Sequence, residues 1–142
     1  HETWHDYSLS AVVKKRKITD LSHFSAYQSS LTDVLNCYIN QFPEMSVAIW
    51  GAGHQALAVM SLSGLGDKIK IVIDSAPFKQ NKYTPATHIP IVSPDVLEIE
   101  SVSAIVVMAA SYSKEVVEVI RKQYGEQFCI AVLEGNDLVI IQ

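Results

Sequence analysis

Cysteine is scarce in this 142-residue chain: there are two, Cys37 and Cys129, and they stand 92 positions apart (129 − 37). That spacing fits neither a disulfide framework nor a zinc-ligand pattern, so both are expected to be reduced, buried thiols. Positive charge is also short, with 11 Lys and Arg against 15 Asp and Glu and a net charge of −4. A general basic field for nucleic acid is therefore excluded. No apolar run approaches the roughly 18 residues that a membrane span needs, and the start has no charged, apolar and cleavage regions of a secretory signal. A soluble, cytoplasmic protein is expected. The chain has no G-x-x-x-x-G-K-[ST] phosphate loop and no G-x-S-x-G elbow. What it does have is length for one compact domain and 49% hydrophobic residues, enough to build a core without a metal or disulfide. Its first residue is His1 rather than Met, which points to excision from a longer chain.

Residues 1–23 show no sustained period and are read as a lead-in or linker; their basic tetrad Lys14-Lys15-Arg16-Lys17 reads as a solvated charge run. The domain proper is expected over 24–142. From Ser29 onward Leu31, Val34, Leu35, Tyr38, Ile39 and Phe42 recur at three- and four-residue steps, which predicts an amphipathic helix ended by Pro43. Residues 46–50 form an apolar strand leading into Gly51-Ala52-Gly53. Ala56, Leu57, Val59, Met60 and Leu62 then suit a helix closed by Gly64 and Gly66. A second strand over 69–73 stops at Asp74. Residues 75–92 carry Pro77, Pro85 and Pro90 and predict a long ordered loop, a length more often functional than idle. Ser93-Pro94-Asp95 opens a short helix, and 104–109 is a third strand. Ser113 is expected to cap a helix with Val116, Val117, Ile120 and Tyr124 on one face, and strands at 128–132 and 138–141 complete the set. Strands that are apolar throughout are buried on both faces, which predicts a mostly parallel sheet of about five strands in a three-layer α/β/α arrangement, preceded by one amphipathic helix.

Candidate chemistry gathers at two places. In the first, Gly51, Ala52, Gly53, His54 and Gln55 follow a strand and open a helix, with Ala56 third in the glycine pattern and Asp74 ending the next strand about 20 residues on. Gly51 permits a tight turn, Gly53 lets a phosphate or ribose approach the backbone, the helix start offers unpaired N–H groups, and Asp74 is placed to accept ribose hydroxyls. In the second, Lys79, Gln80, Lys82, Tyr83 and His88 are types that hold a polar anion. His54 stands alone and reads as a hydrogen-bonding residue rather than a base. No set of side chains for proton transfer or nucleophilic attack is present.

These residues resemble the C-terminal domain of the SAM-dependent sugar C-methyltransferases, over about Phe24 to the C-terminus. The most specific part is D-x-x-P-x-K-Q-x-x-Y-x-P-x-x-H-I-P-I, matched by Asp74, Pro77, Lys79, Gln80, Tyr83, Pro85, His88, Ile89, Pro90 and Ile91. The resemblance implies a Rossmann-like domain that is not itself catalytic. It would hold the nucleotide part of a nucleoside-diphosphate sugar against an upstream SAM-binding domain or a second copy, with SAM and zinc bound only by upstream domains and no nucleic-acid or membrane partner. Gln55 stands where relatives often carry Lys, and Ala109-Ala110-Ser111 stands where they tend to show A-W-N. Two other readings fit the residues alone: an NAD(P)-binding domain of an oxidoreductase, and a docking or oligomerisation module.

Overall fold

The computed structural model describes residues 2–4, 7–9, 12 and 20–141. Two short strands, β1 (Glu2–Trp4) and β2 (Tyr7–Leu9), pair antiparallel. The basic tetrad at 14–17 lies outside the described residues. Helix α1 spans Ser22–Ile39 and so begins seven residues before the predicted Ser29. Its first turns are polar or exposed, with Phe24 and Tyr27 about half in solvent, so no buried face marks them in the sequence. Leu31, Leu35, Tyr38 and Ile39 are buried, as the spacing predicts.

The fold is α/β, with a mostly parallel mixed sheet of seven strands. They are β3 (Val47–Trp50), β4 (Ile69–Ile73), β5 (Lys82–Tyr83), β6 (Pro90–Val92), β7 (Ala104–Val107), β8 (Cys129–Glu134) and β9 (Asp137–Ile141). Their spatial order is β5-β6-β4-β3-β7-β8-β9. The five inner strands run parallel, and β5 and β9 close the two ends antiparallel. The expected count of about five is corrected to seven because β5 and β6 lie within the proline-marked stretch 75–92. They have two and three residues, too few to display a period.

Alternation across β3 divides the core. Val47 and Ile49 pack with α1 and with α2 (His54–Leu62), while Ala48 and Trp50 pack with α3 (Ser113–Tyr124) and a 3-10 turn at Pro94–Glu98. All four β3 residues are buried, as a central parallel strand requires. β9 departs from the expected burial on both faces: Val139 is 42% and Ile140 60% exposed, because an edge strand has a neighbour on one side only.

Three smaller readings also change. The helix opened by Ser93-Pro94-Asp95 is a 3-10 turn, although Ser93 caps it as predicted by accepting from the Asp95 N–H at 3.4 Å. Ser113 is the first residue of α3 rather than its cap; Tyr112 holds the cap position, and the Ser113 hydroxyl is buried without a partner. Both cysteines are free, but both are exposed rather than buried. Cys37 lies on α1, and Cys129 is the first residue of β8, paired with Ala104 of β7.

Candidate functional site

The turn after β3 is built by its neighbours. The Gly51 N–H donates to the Ile73 carbonyl at 2.7 Å, and Gly51 takes φ +119°. A Cβ there would stand 2.6 Å from the Met108 carbonyl oxygen. Glycine is thus required twice over, by the backbone angle and by the close approach of the β7 end. Gly53 differs. It sits in extended backbone as the cap of α2, and a Cβ there would meet nothing within 4 Å. Protein packing does not demand this glycine; it leaves empty space over a helix start. No side chain caps α2 and no acid lies in its first turn, so the first N–H groups carry their partial positive charge toward that space.

Asp74 fastens this turn to the next loop. Its Oδ2 accepts the Ala52 N–H at 2.8 Å and the Lys79 ammonium at 2.8 Å, and its Oδ1 accepts the Ala76 N–H at 2.9 Å. Its carbonyl takes the Gln80 side-chain amide at 2.9 Å. Burial alone pushes the Asp74 carboxyl up, but the bonds from Lys79, Ala76 and Ala52, with the charge of Lys79, outweigh it and hold the group below its ordinary value. Both carboxylate oxygens therefore have internal partners, and Asp74 anchors the turn to the loop while still lining the cleft.

A cleft of about 330 Å³ opens above the carboxyl ends of β3, β4 and β7, where open parallel sheets bind ligands. Of the predicted site residues, Gly51, Gly53, His54, Gln55, Asp74 and Lys79 line it, and Ala52 lies buried in the turn beneath. Gln80, Tyr83 and His88 are not brought in. Gln80 is held by the Asp74 carbonyl. Tyr83 and His88 stack on each other with ring centres 4.7 Å apart and planes at 9°, at the β5 end of the sheet. Sequence reasoning missed the opposite wall, formed by Met108, Ala109, Ala110 and Tyr112. One signal was present in principle: β7 is the strand across from β3 where the sheet order reverses. The non-glycine Ala110 there takes φ +50°, a conformation with no mark in an Ala-Ala-Ser sequence.

Among the described residues, no group of three or more His, Cys, Asp or Glu is arranged to hold a metal ion. Among the same described residues, no helix is long and apolar enough to cross a membrane.

No curated protein sequence matches the chain. Among solved structures it is similar to UDP-D-quinovosamine 4-dehydrogenase from Vibrio fischeri, with a TM-score of 0.51 and 18% identity over 70% of this chain and 95% of that one. At that identity the likeness is one of fold. The family model for the C-methyltransferase C-terminal domain matches residues 9–132, most of the chain and nearly all of the sheet and cleft just described. The chain belongs to the C-methyltransferase C-terminal domain family.

Proposed function

We propose that this chain, as a Rossmann-like domain over residues 24–142, holds the diphosphate of a nucleoside-diphosphate sugar while a SAM-binding domain transfers a methyl group to the sugar. The observation that carries the reading is the uncapped start of α2, which opens on a cleft that Lys79, paired with Asp74, also lines. Backbone N–H groups at a helix start and a nearby cation are the usual means of holding phosphate. Gly53, having no Cβ, leaves the room a phosphate needs. His54 and Gln55 offer side-chain hydrogen bonds at the same helix start. No residue of the cleft is assigned a catalytic role.

SAM and zinc are assigned to other domains. The described residues do not fit a zinc, and the acidic residue at the end of β4, which in a dinucleotide or SAM site would take ribose hydroxyls, is held by Ala52, Ala76 and Lys79. The same feature weighs against the second reading, an NAD(P)-binding domain, whose support is the fold likeness to a structure named a dehydrogenase. The partners proposed are the sugar nucleotide and a SAM-binding domain or second copy, in the cytoplasm, with no nucleic acid or membrane.

The test is a thermal-shift and calorimetry screen against UDP, dTDP, CDP, GDP, their hexose conjugates, NADH, NADPH and SAM. A ligand at 100 times its dissociation constant adds about 2.7 kcal/mol to stability. Binding of one nucleoside diphosphate series, without SAM or NAD(P)H, is expected. Binding of NADH alone would favour the oxidoreductase reading, and a flat response to every compound would favour a docking module.

A further inference from the structure

The two edges of the sheet are finished differently. At one, β5 has two residues, carries Lys82 and is followed shortly by Pro85. Brevity, a lysine and a proline are the usual guards of an open strand edge. At the other, β9 has five residues, Asp-Leu-Val-Ile-Ile, in regular register with β8. It holds no lysine or proline, and among the described residues no strand lies beyond it. Val139 on one face and Ile140 on the other are both exposed. The unused backbone groups of this edge can be assigned. The Cys129 N–H donates to the Ser103 carbonyl at 3.1 Å, on the β7 side. Bonding directions alternate along a strand, so Ile130, Val132 and Glu134 turn toward β9, where they pair with Ile141, Val139 and Asp137. Leu138 and Ile140 are left with N–H and C=O aimed out of the sheet.

We infer that β9 pairs antiparallel with β9 of a second copy of this chain, about a two-fold axis at Val139. In that register Leu138 of each copy exchanges both backbone hydrogen bonds with the partner's Ile140, and every outward N–H and C=O of the two residues is satisfied. A register shifted along the strand leaves some of them unpaired. Charge selects the same orientation. Asp137, with Glu134 opposite it on β8, makes one end of β9 acidic. At the other end Arg121 of α3 donates to the Ile141 carbonyl at 3.1 Å. Of the charges at that end of α3, Glu118, Arg121, Lys122 and Glu126, Arg121 alone bonds to β9 among the described residues. Antiparallel pairing sets each acidic end against the end where this cation stands, whereas parallel pairing sets the acidic ends together. A self-complementary edge closes on a second copy as an isologous dimer. One short strand from each copy makes a contact below the about 1,200 Å² of firm complexes, so the association is of micromolar strength. The pairing lies beyond β8, away from the cleft above β3, β4 and β7, and does not rest on what that cleft holds.

The experiment is sedimentation velocity of the chain from about 1 μM to 1 mM, with circular dichroism melts to confirm that each variant folds. The wild type is expected to pass from monomer to dimer across that range. Ile140→Pro removes an outward N–H and no internal bond, and Ile140→Lys places a charge at the edge on an ordinary backbone. Each should weaken dimerisation by about tenfold or more, the scale of two lost hydrogen bonds; the lysine variant decides if the proline one does not fold. Val139→Cys, in a chain also carrying Cys37→Ser and Cys129→Ser, tests the register. Facing residues of a non-hydrogen-bonded pair have Cα atoms about 4.5 Å apart, within disulfide reach, so diamide should oxidise this variant to a linked dimer. Asp137→Cys in the same background should stay unlinked. A wild type that remains monomeric throughout overturns the inference, whether β9 takes a strand of another protein or none. A dimer unchanged in the Ile140 variants overturns it too, as does one linked through Asp137→Cys and not through Val139→Cys. Nucleoside diphosphate affinity should be the same in Ile140→Lys as in the wild type, and a chain that dimerises but binds no nucleotide would sink the diphosphate reading alone.

Discussion

The turn after β3 and the excursion after β4 leave neighbouring parallel strands at the same end of the sheet, yet they treat their polar groups in opposite ways. The excursion satisfies its own. Asp74 holds Ala76 and Lys79, Gln80 holds the Asp74 carbonyl, and the buried Thr84 takes the Ile89 N–H on its hydroxyl at 2.8 Å while sharing a hydrogen with Thr87 at 2.7 Å. Asn81, Ala86 and His88 sit at positive φ within it, a cost that this internal bonding offsets. The turn bonds its Gly51 and Ala52 N–H groups, to the Ile73 carbonyl and to Asp74, but the helix start that follows has no side-chain cap. Gln80 and Thr84 are thus internal fastenings of one loop, while the uncapped helix start after the glycine turn faces the cleft.

Substitutions at the two glycines put the contrast under the greatest strain. Gly51→Ala meets both the Met108 carbonyl and an unfavourable φ, and is expected to cost about 3 kcal/mol or more in urea unfolding. Gly53→Ala meets nothing; its stability should stay within about 1 kcal/mol, while affinity for the nucleoside diphosphate falls several-fold by calorimetry. Comparable stability losses at both positions would show that the turn is packed throughout.

Asp74→Ala comes next, at about 2–3 kcal/mol, because it leaves backbone N–H groups without acceptors in a largely buried place; Asp74→Asn should recover part of this. The pH dependence has a definite sign. A carboxyl held below its ordinary value of 3.8 stabilises the fold above that value and loses the contribution as pH falls through the depressed one. The acid limb of a stability-against-pH curve should therefore flatten in Asp74→Asn.

Lys79→Gln is smaller in stability and larger in binding. The Lys79 side chain is 30% exposed, so losing its ion pair should cost less than about 1 kcal/mol, with weaker diphosphate binding that is itself less salt-sensitive. The smallest effect is expected from Tyr83→Ala, which loses the stack on His88 at about 0.5–1.5 kcal/mol and leaves nucleotide affinity unchanged. A fall in affinity there would bring the excursion into the site.

Long apolar elements were readable from the residues. The buried positions of α1, the strands at 47–50, 69–73 and 104–107, and the glycine turn all follow from spacing, and the ten-residue pattern from Asp74 to Ile91 carried the family. Which of that pattern's side chains line the cleft was not readable, because Lys79, Gln80, Tyr83 and His88 are equally plausible by type, and only the fold separates Lys79 from the rest. The start of α1 was hidden by its exposed first turns, and β5 and β6 by their brevity. The wall at Met108–Tyr112 was hidden because its role comes from lying beside β3, a relation between residues far apart in sequence.

That last relation has a consequence for how the chain folds. Val47 pairs with Ala104, 57 residues away (104 − 47), whereas β8 and β9 pair directly across Gly135 and Asn136. A short hairpin forms in microseconds, while joining distant parallel strands is slow. The two walls of the cleft, Gly51 and Met108, meet only when the distant pairing closes. Pulse-labelled hydrogen exchange should therefore protect amides of 130–141 before those of 104–107, so that the cleft is completed at the end of folding, only after β7 has joined the sheet.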